Sequence, residues 1–259
     1  MKLKKGGLDI TLAGEILQFP KDIKFGETII RAAKDLSPVL FAPAPDPDRI
    51  IYRVWKNVRK SEDEIYFRNL EARYDITVIY AKKIGRELPK TFGHYHLGIP
   101  YPEIYEVISG LAWFLIQRPK ESNPGVIEEI YMIEAGPGEK IIVPPGFGHI
   151  STNPGKKELI LANWVSRDIQ YDYESYENMR GGGYYFLESK DGKIVEFEKN
   201  SYYEFLPEII KLKPKKSPLD GVEKKIPMYN LVRSPQYLKF LTEENLQKSL
   251  TIKKCFEEI

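Results

Sequence analysis

The chain has 259 residues, 42% of them hydrophobic and 29% charged, which excludes a disordered or fibrous protein and leaves room for a substantial core. Lys and Arg number 39 against 37 Asp and Glu, a net charge of +2, so the chain is not built as a polycation for nucleic acid. A single cysteine, Cys255, excludes an internal disulfide and a cysteine-based metal site, and it points to a reducing compartment.

In chain order, the start MKLKKGGLDI has no apolar run of signal-peptide length behind it, so a cytoplasmic location is expected. Residues 26–36 read as a short helix with Ile29, Ile30 and Ala33 on one side, ended by Ser37-Pro38. Pro43, Pro45 and Pro47 stiffen the connector that follows. From there β signals dominate. Branched and aromatic residues predict strands over 49–55, 74–81, 103–109, 112–117, 126–135, 140–143 and 158–165, with a turn-rich loop at 118–125. The apolar run around 159–165 is broken by Asn163 and is too short to span a bilayer, so no membrane partner is expected. Strands at 184–188 and 193–197 bracket Asp191-Gly192, a hairpin signal. The lysine-rich stretch 211–225 reads as a solvated linker rather than a polyanion site. Residues 235–254 read as helical, with Leu238, Leu241, Leu246 and Leu250 as a packing stripe. About ten short strands with few helices predict a mainly β jelly-roll or antiparallel barrel. The expected division is an N-terminal strand and helix (1–48), the barrel (49–198) and a C-terminal extension of linker plus helix (199–259).

The rarest residue is the most informative. The three histidines are His94, His96 and His149. His94 and His96 are two residues apart, so on a strand both imidazoles face one way. Glu103 follows seven residues after His96, with Tyr105 on the same face. Glu106 competes as the acidic member, because Ile104 and Ile108 make a plausible buried face with it. The run GEKIIVPPGFGH delivers His149 just past a tight turn. Three imidazoles and one carboxylate suit Fe(II), Mn(II), Ni(II), Co(II) or Zn(II), with positions left for substrate oxygens.

These two segments resemble the paired motifs of the cupin superfamily. Gly138, Pro144, Gly146, His149 and Asn153 fall at the spacing of the second motif, and Gly110 follows Glu103 at the interval of the first, which selects Glu103 over Glu106. The lengthened gap between His96 and Glu103 is typical of one branch, the archaeal-type, metal-dependent glucose-6-phosphate isomerases. Thr91-Phe92-Gly93-His94-Tyr95-His96, Glu103-Ile104-Tyr105, the turn from Pro144 to His149 and Asp172-Tyr173 resemble that family's signatures in order and spacing, over about residues 49–190. The resemblance implies a cupin barrel, a homodimer and a sugar-phosphate substrate. It implies one divalent ion per subunit, Fe(II) first, on His94, His96, Glu103 and His149. It places Thr77, Thr91, the Gly93 amide and Tyr52 at the phosphate. There is one departure: Tyr171 stands where the best-known members carry a histidine, so ring opening would fall to Tyr171, Tyr173 or water.

Aldose–ketose interconversion moves a hydrogen between C2 and C1, and a cation gripping both oxygens stabilises the charge that develops there. Glu103 is the expected proton carrier. That role conflicts with its place as a ligand, since coordination weakens a carboxylate as a base. Either Glu103 loosens when substrate binds, or the hydrogen moves directly as hydride. Tyr105 and Tyr173 are expected to bond sugar oxygens or move protons. Two other functions share the donor set. An Fe(II) dioxygenase is opposed by the phosphate seat, and oxygen uptake would reveal it. A non-catalytic sugar-phosphate sensor would bind tightly without turnover.

Overall fold

Val, Ile and aromatic residues crowd the stretch from Ile50 to Ser166, and in the computed structural model, which describes residues 2–3 and 6–259, they form two packed sheets. The first has six antiparallel strands in the order Lys140–Val143, Glu103–Ser109, Leu159–Ser166, Ala72–Ile79, Ile50–Trp55 and Thr28–Ala32. The second runs Gly148–Thr152, Ala112–Lys120, Asn123–Ala135, Ile210–Pro214 and Phe256–Glu258. It is antiparallel except where Ile210–Pro214 lies parallel to Asn123–Ala135. Their inner faces meet in the core, where the Tyr105 and Phe114 rings sit 5.0 Å apart. The mainly β jelly-roll barrel expected from the strand pattern is therefore what forms, with only short helices around it. No helix among the described residues is long and apolar enough to cross a membrane.

Glu103–Ser109 and Leu159–Ser166 are buried on both faces, unlike strands with one side in water. The reason lies in the C-terminal segment. Its 3-10 turn Met228–Arg233 roofs the outer face of the six-stranded sheet. The Met228 amide donates to Glu106 Oε2 at 2.8 Å, and Trp164 Nε1 donates to the Met228 carbonyl at 2.9 Å. Tyr229 enters an aromatic cluster with Tyr74 and Phe67, and its hydroxyl donates to Asp63 at 2.9 Å. Arg233 secures the same aspartate.

Several expectations are corrected. Residues 28–32 form an edge strand, and the helical turn, of 3-10 type, comes later at Ala33–Val39. Thr28, Ile29 and Ile30 are β-branched and favour the extended chain, and pairing with Ile50–Trp55 was available. The lysine-rich stretch is no linker at its start: Ile210–Pro214 is a strand with Leu212 and Pro214 inward and Lys211 and Lys213 outward. The 118–125 loop is a tight hairpin, since the strands run on to Lys120 and restart at Asn123. The expected C-terminal helix breaks into Pro235–Leu241, Glu244–Gln247 and Ile252–Cys255. Of its stripe, Leu238, Leu241 and Leu250 are buried and Leu246 is exposed.

Candidate metal centre and substrate cleft

Gly93 sets the approach to the first two histidines. Its φ of +88° is open to glycine, and a Cβ there would sit 2.6 Å from Ile150. The backbones of His94 and His149 then bond each other, His149 N–H to the His94 carbonyl at 3.1 Å, which brings the two motifs together. Tyr95–His96 pairs with Tyr171–Asp172, placing Tyr171 directly opposite His96. Glu103 comes from the start of Glu103–Ser109 in the six-stranded sheet, and its side chain lines the same cleft.

The four side chains converge. One ligand atom from each of His94, His96, Glu103 and His149 lies within 4.8 Å of all the others. Glu103 Oε2 stands 3.9 Å from His94 Nε2, 3.5 Å from His96 Nε2 and 3.4 Å from His149 Nε2. His94 Nε2, His96 Nε2 and Glu103 Oε2 are buried without a hydrogen-bond partner. Buried polar atoms are ordinarily satisfied, and each orphan costs about 1–3 kcal/mol. A divalent cation at their centre would satisfy all three, so the donor set fits such an ion. His96 Nδ1 donates to the Tyr101 carbonyl, which leaves its Nε2 lone pair free to coordinate. His149 Nε2 meets the Tyr105 hydroxyl at 2.9 Å, a contact an incoming ion has to replace.

The protonation state also suits a metal. Burial pushes His94 down to about 3, helped by His149 beside it, and burial lowers His149 as well. Burial alone would raise Glu103, but the imidazoles of His149, His94 and His96 gathered around it outweigh burial and hold the carboxyl well below its usual range. Neutral His94 and His149 beside an ionised carboxylate need shed no proton to bind a cation. Burial keeps the phenols of Tyr105, Tyr171 and Tyr173 protonated, so they serve as donors.

The centre opens into a small cleft of about 80 Å³. Tyr52, Thr77, Thr91, Gly93, His94, Glu103, Tyr105, His149, Tyr171 and Tyr173 all line it, whereas His96 lies behind the cluster, outside that lining. Tyr171 stands edge-on to His94, with centroids 4.5 Å apart, and accepts a hydrogen bond from Arg73. Thr91 Oγ1 accepts from the Ser151 amide at 3.0 Å. Glu106 points to the opposite face, where Lys140 pairs with it at 3.0 Å.

A family model described as glucose-6-phosphate isomerase (GPI) matches residues 30–204. The chain belongs to the glucose-6-phosphate isomerase family. Glucose-6-phosphate isomerase of Thermococcus litoralis is 29% identical over 148 residues, 57% of this chain and 70% of that one. The Pyrococcus furiosus enzyme of the same name is 26% identical over 153 residues, 56% of this chain and 77% of that one. Among solved structures, oxalate decarboxylase from Bacillus subtilis superposes with a TM-score of 0.32 at 18% identity, over 45% of this chain and only 26% of that one.

Sequence reasoning missed residues that complete the isomerase-family cleft. Asn163 donates from Nδ2 to Glu103 Oε1 at 2.6 Å, and Asp75, buried in the cleft wall, pairs with Arg73 at 2.9 Å. The signal was present for both. A strongly polar side chain inside a largely apolar buried strand needs a partner, and LILANWV and YDITVIY place Asn163 and Asp75 in such positions.

Proposed function

We propose that the chain interconverts glucose 6-phosphate and fructose 6-phosphate at one divalent ion per subunit, held by His94, His96, Glu103 and His149. The observation that carries this reading is the trio of orphaned buried atoms, His94 Nε2, His96 Nε2 and Glu103 Oε2, facing one another in the segment that matches the family. When bound, the ion supplies Lewis acidity to the oxygens on the two reacting carbons. The side chains supply the rest. Glu103 is the carboxylate at hand to carry a proton between those carbons. Tyr105 and Tyr173 donate to sugar oxygens. Tyr171 takes the place of the family histidine at ring opening, oriented by Arg73. Tyr52, Thr77, Thr91 and the Gly93 amide receive the phosphate.

The same reading takes Fe(II) as the resident ion, in keeping with the imidazole and carboxylate donors. It takes a homodimer as the working form, supported by the edge strand Thr28–Ala32 with its exposed Ile30. It takes the cytoplasm as the compartment, in keeping with a lone buried thiol. The test is isomerisation of fructose 6-phosphate before and after chelation. Activity should vanish with the metal and return with Fe(II), Mn(II), Ni(II), Co(II) or Zn(II); full turnover after rigorous metal removal sinks the reading. Oxygen consumption, or tight sugar-phosphate binding with no turnover on any ion, would indicate the dioxygenase or the sensor instead.

A further inference from the structure

One wall of the cleft is rich in donors. Tyr52, Thr77, Thr91 and Tyr173 line it, together with the Gly93 backbone. Neutral donors can bond a phosphate, but they leave its double negative charge uncompensated in a partly dry site. The edge strand supplies the missing charge. Thr28–Ala32 pairs with Ile50–Trp55 so that Ile29 stands opposite Val54 and Arg31 opposite Tyr52. Ile29, Val54 and Tyr52 all line the cleft, so strand alternation sends Arg31 to the same side. Its positive charge acts on the hydroxyls of both Tyr52 and Tyr173, in keeping with that placement. Arg31 is half-buried, and among the described residues it forms no ion pair with a carboxylate. The second cation on this wall, Lys56, is instead tied to Glu27 at 3.1 Å.

We propose that Arg31 is the cationic anchor for the substrate phosphate and makes the cleft select a phosphorylated sugar over the free sugar. A guanidinium presents a planar fork of donors that matches two phosphate oxygens at once, and it stays charged at every working pH. The identity of the sugar rests on the isomerase reading; the anion site does not. An alternative is that Arg31 merely packs against Tyr52, and the experiment separates the two.

Metal-loaded protein is titrated calorimetrically with fructose 6-phosphate, fructose and inorganic phosphate, as wild type, R31M and R31K. R31M should bind fructose 6-phosphate at least about tenfold more weakly, with the fructose isotherm unmoved, and R31K should recover part of the loss. In the steady state KM should rise by a similar factor, with kcat falling far less. Inorganic phosphate should compete with fructose 6-phosphate on the wild type and do so more weakly on R31K, a comparison that stands even if R31M does not fold. Equal phosphate competition in wild type and R31K, or losses of the same size for fructose and its phosphate in R31M, overturns the assignment. Arg31-dependent binding without any turnover would leave Arg31 as the anchor and sink the isomerase reading.

Discussion

Asn163 Nδ2 donates to Glu103 Oε1 at 2.6 Å, and the bond turns the other carboxylate oxygen, Oε2, toward His94, His96 and His149. The two residues come from adjacent strands: Leu159–Ser166 pairs with Glu103–Ser109 so that Asn163 falls opposite Tyr105, two residues from the glutamate. The amide thereby gives Glu103 one tethered oxygen and one free to coordinate. It also bears on the conflict between ligand and base, because an oxygen that already accepts an amide hydrogen is a weaker proton acceptor.

Replacing Asn163 with leucine removes that tether at similar volume. Partners behind a metal ligand are worth about 10–100-fold in affinity, so N163L should weaken divalent-ion binding by that order. Competition against a fluorescent chelator measures it directly. Unchanged affinity would mean that the imidazoles alone orient Glu103.

The metal centre was legible because rarity and parity acted together. With only three histidines, two of them on one strand face and the third behind a proline turn, little else could be built from them. Arg31 was not legible, because its role depends on which strand lies opposite Tyr52, and residues 28–32 read as helix from their apolar spacing. Asn163 stood in plain view as the break in an apolar run, but its partner comes from a strand 60 residues away. The strand at Ile210–Pro214 was hidden by charge: its alternating Lys and apolar residues are a period-two pattern that lysine count alone turns into a linker. The roof formed by Met228–Arg233 carries no local signal, since it is defined by contacts with Trp164, Glu106 and Asp63 far back in the chain.

Cys255 should be chemically silent in the native state. Its side chain is 1% exposed, and burial pushes the thiol up to about 11 against the opposing charges of Lys254 and Lys215. Thiol reagents attack the thiolate, which is scarce at neutral pH for such a group. A colorimetric thiol reagent should therefore report near-zero labelling of folded protein and one equivalent after denaturant is added. Rapid stoichiometric labelling without denaturant would show that the Ile252–Cys255 turn opens freely.

The buried pair beneath the barrel makes the last prediction. Lys140 and Glu106 are each 2% exposed and meet at 3.0 Å. Lys140 also donates to the carbonyls of Gly138, Lys224 and Ile226, while Glu106 takes the Met228 amide, so the pair ties the C-terminal roof to the strand that bears Glu103. Removing one partner of a buried ion pair strands the other charge and costs about 3–5 kcal/mol. K140M should lower unfolding stability by that amount in urea titration, and the loss should exceed that of the double variant K140M/E106L, in which no charge is left stranded. If the double variant loses more than the single, the pair contributes through its backbone contacts to Lys224, Ile226 and Met228 rather than through charge balance, and the roof depends on those bonds.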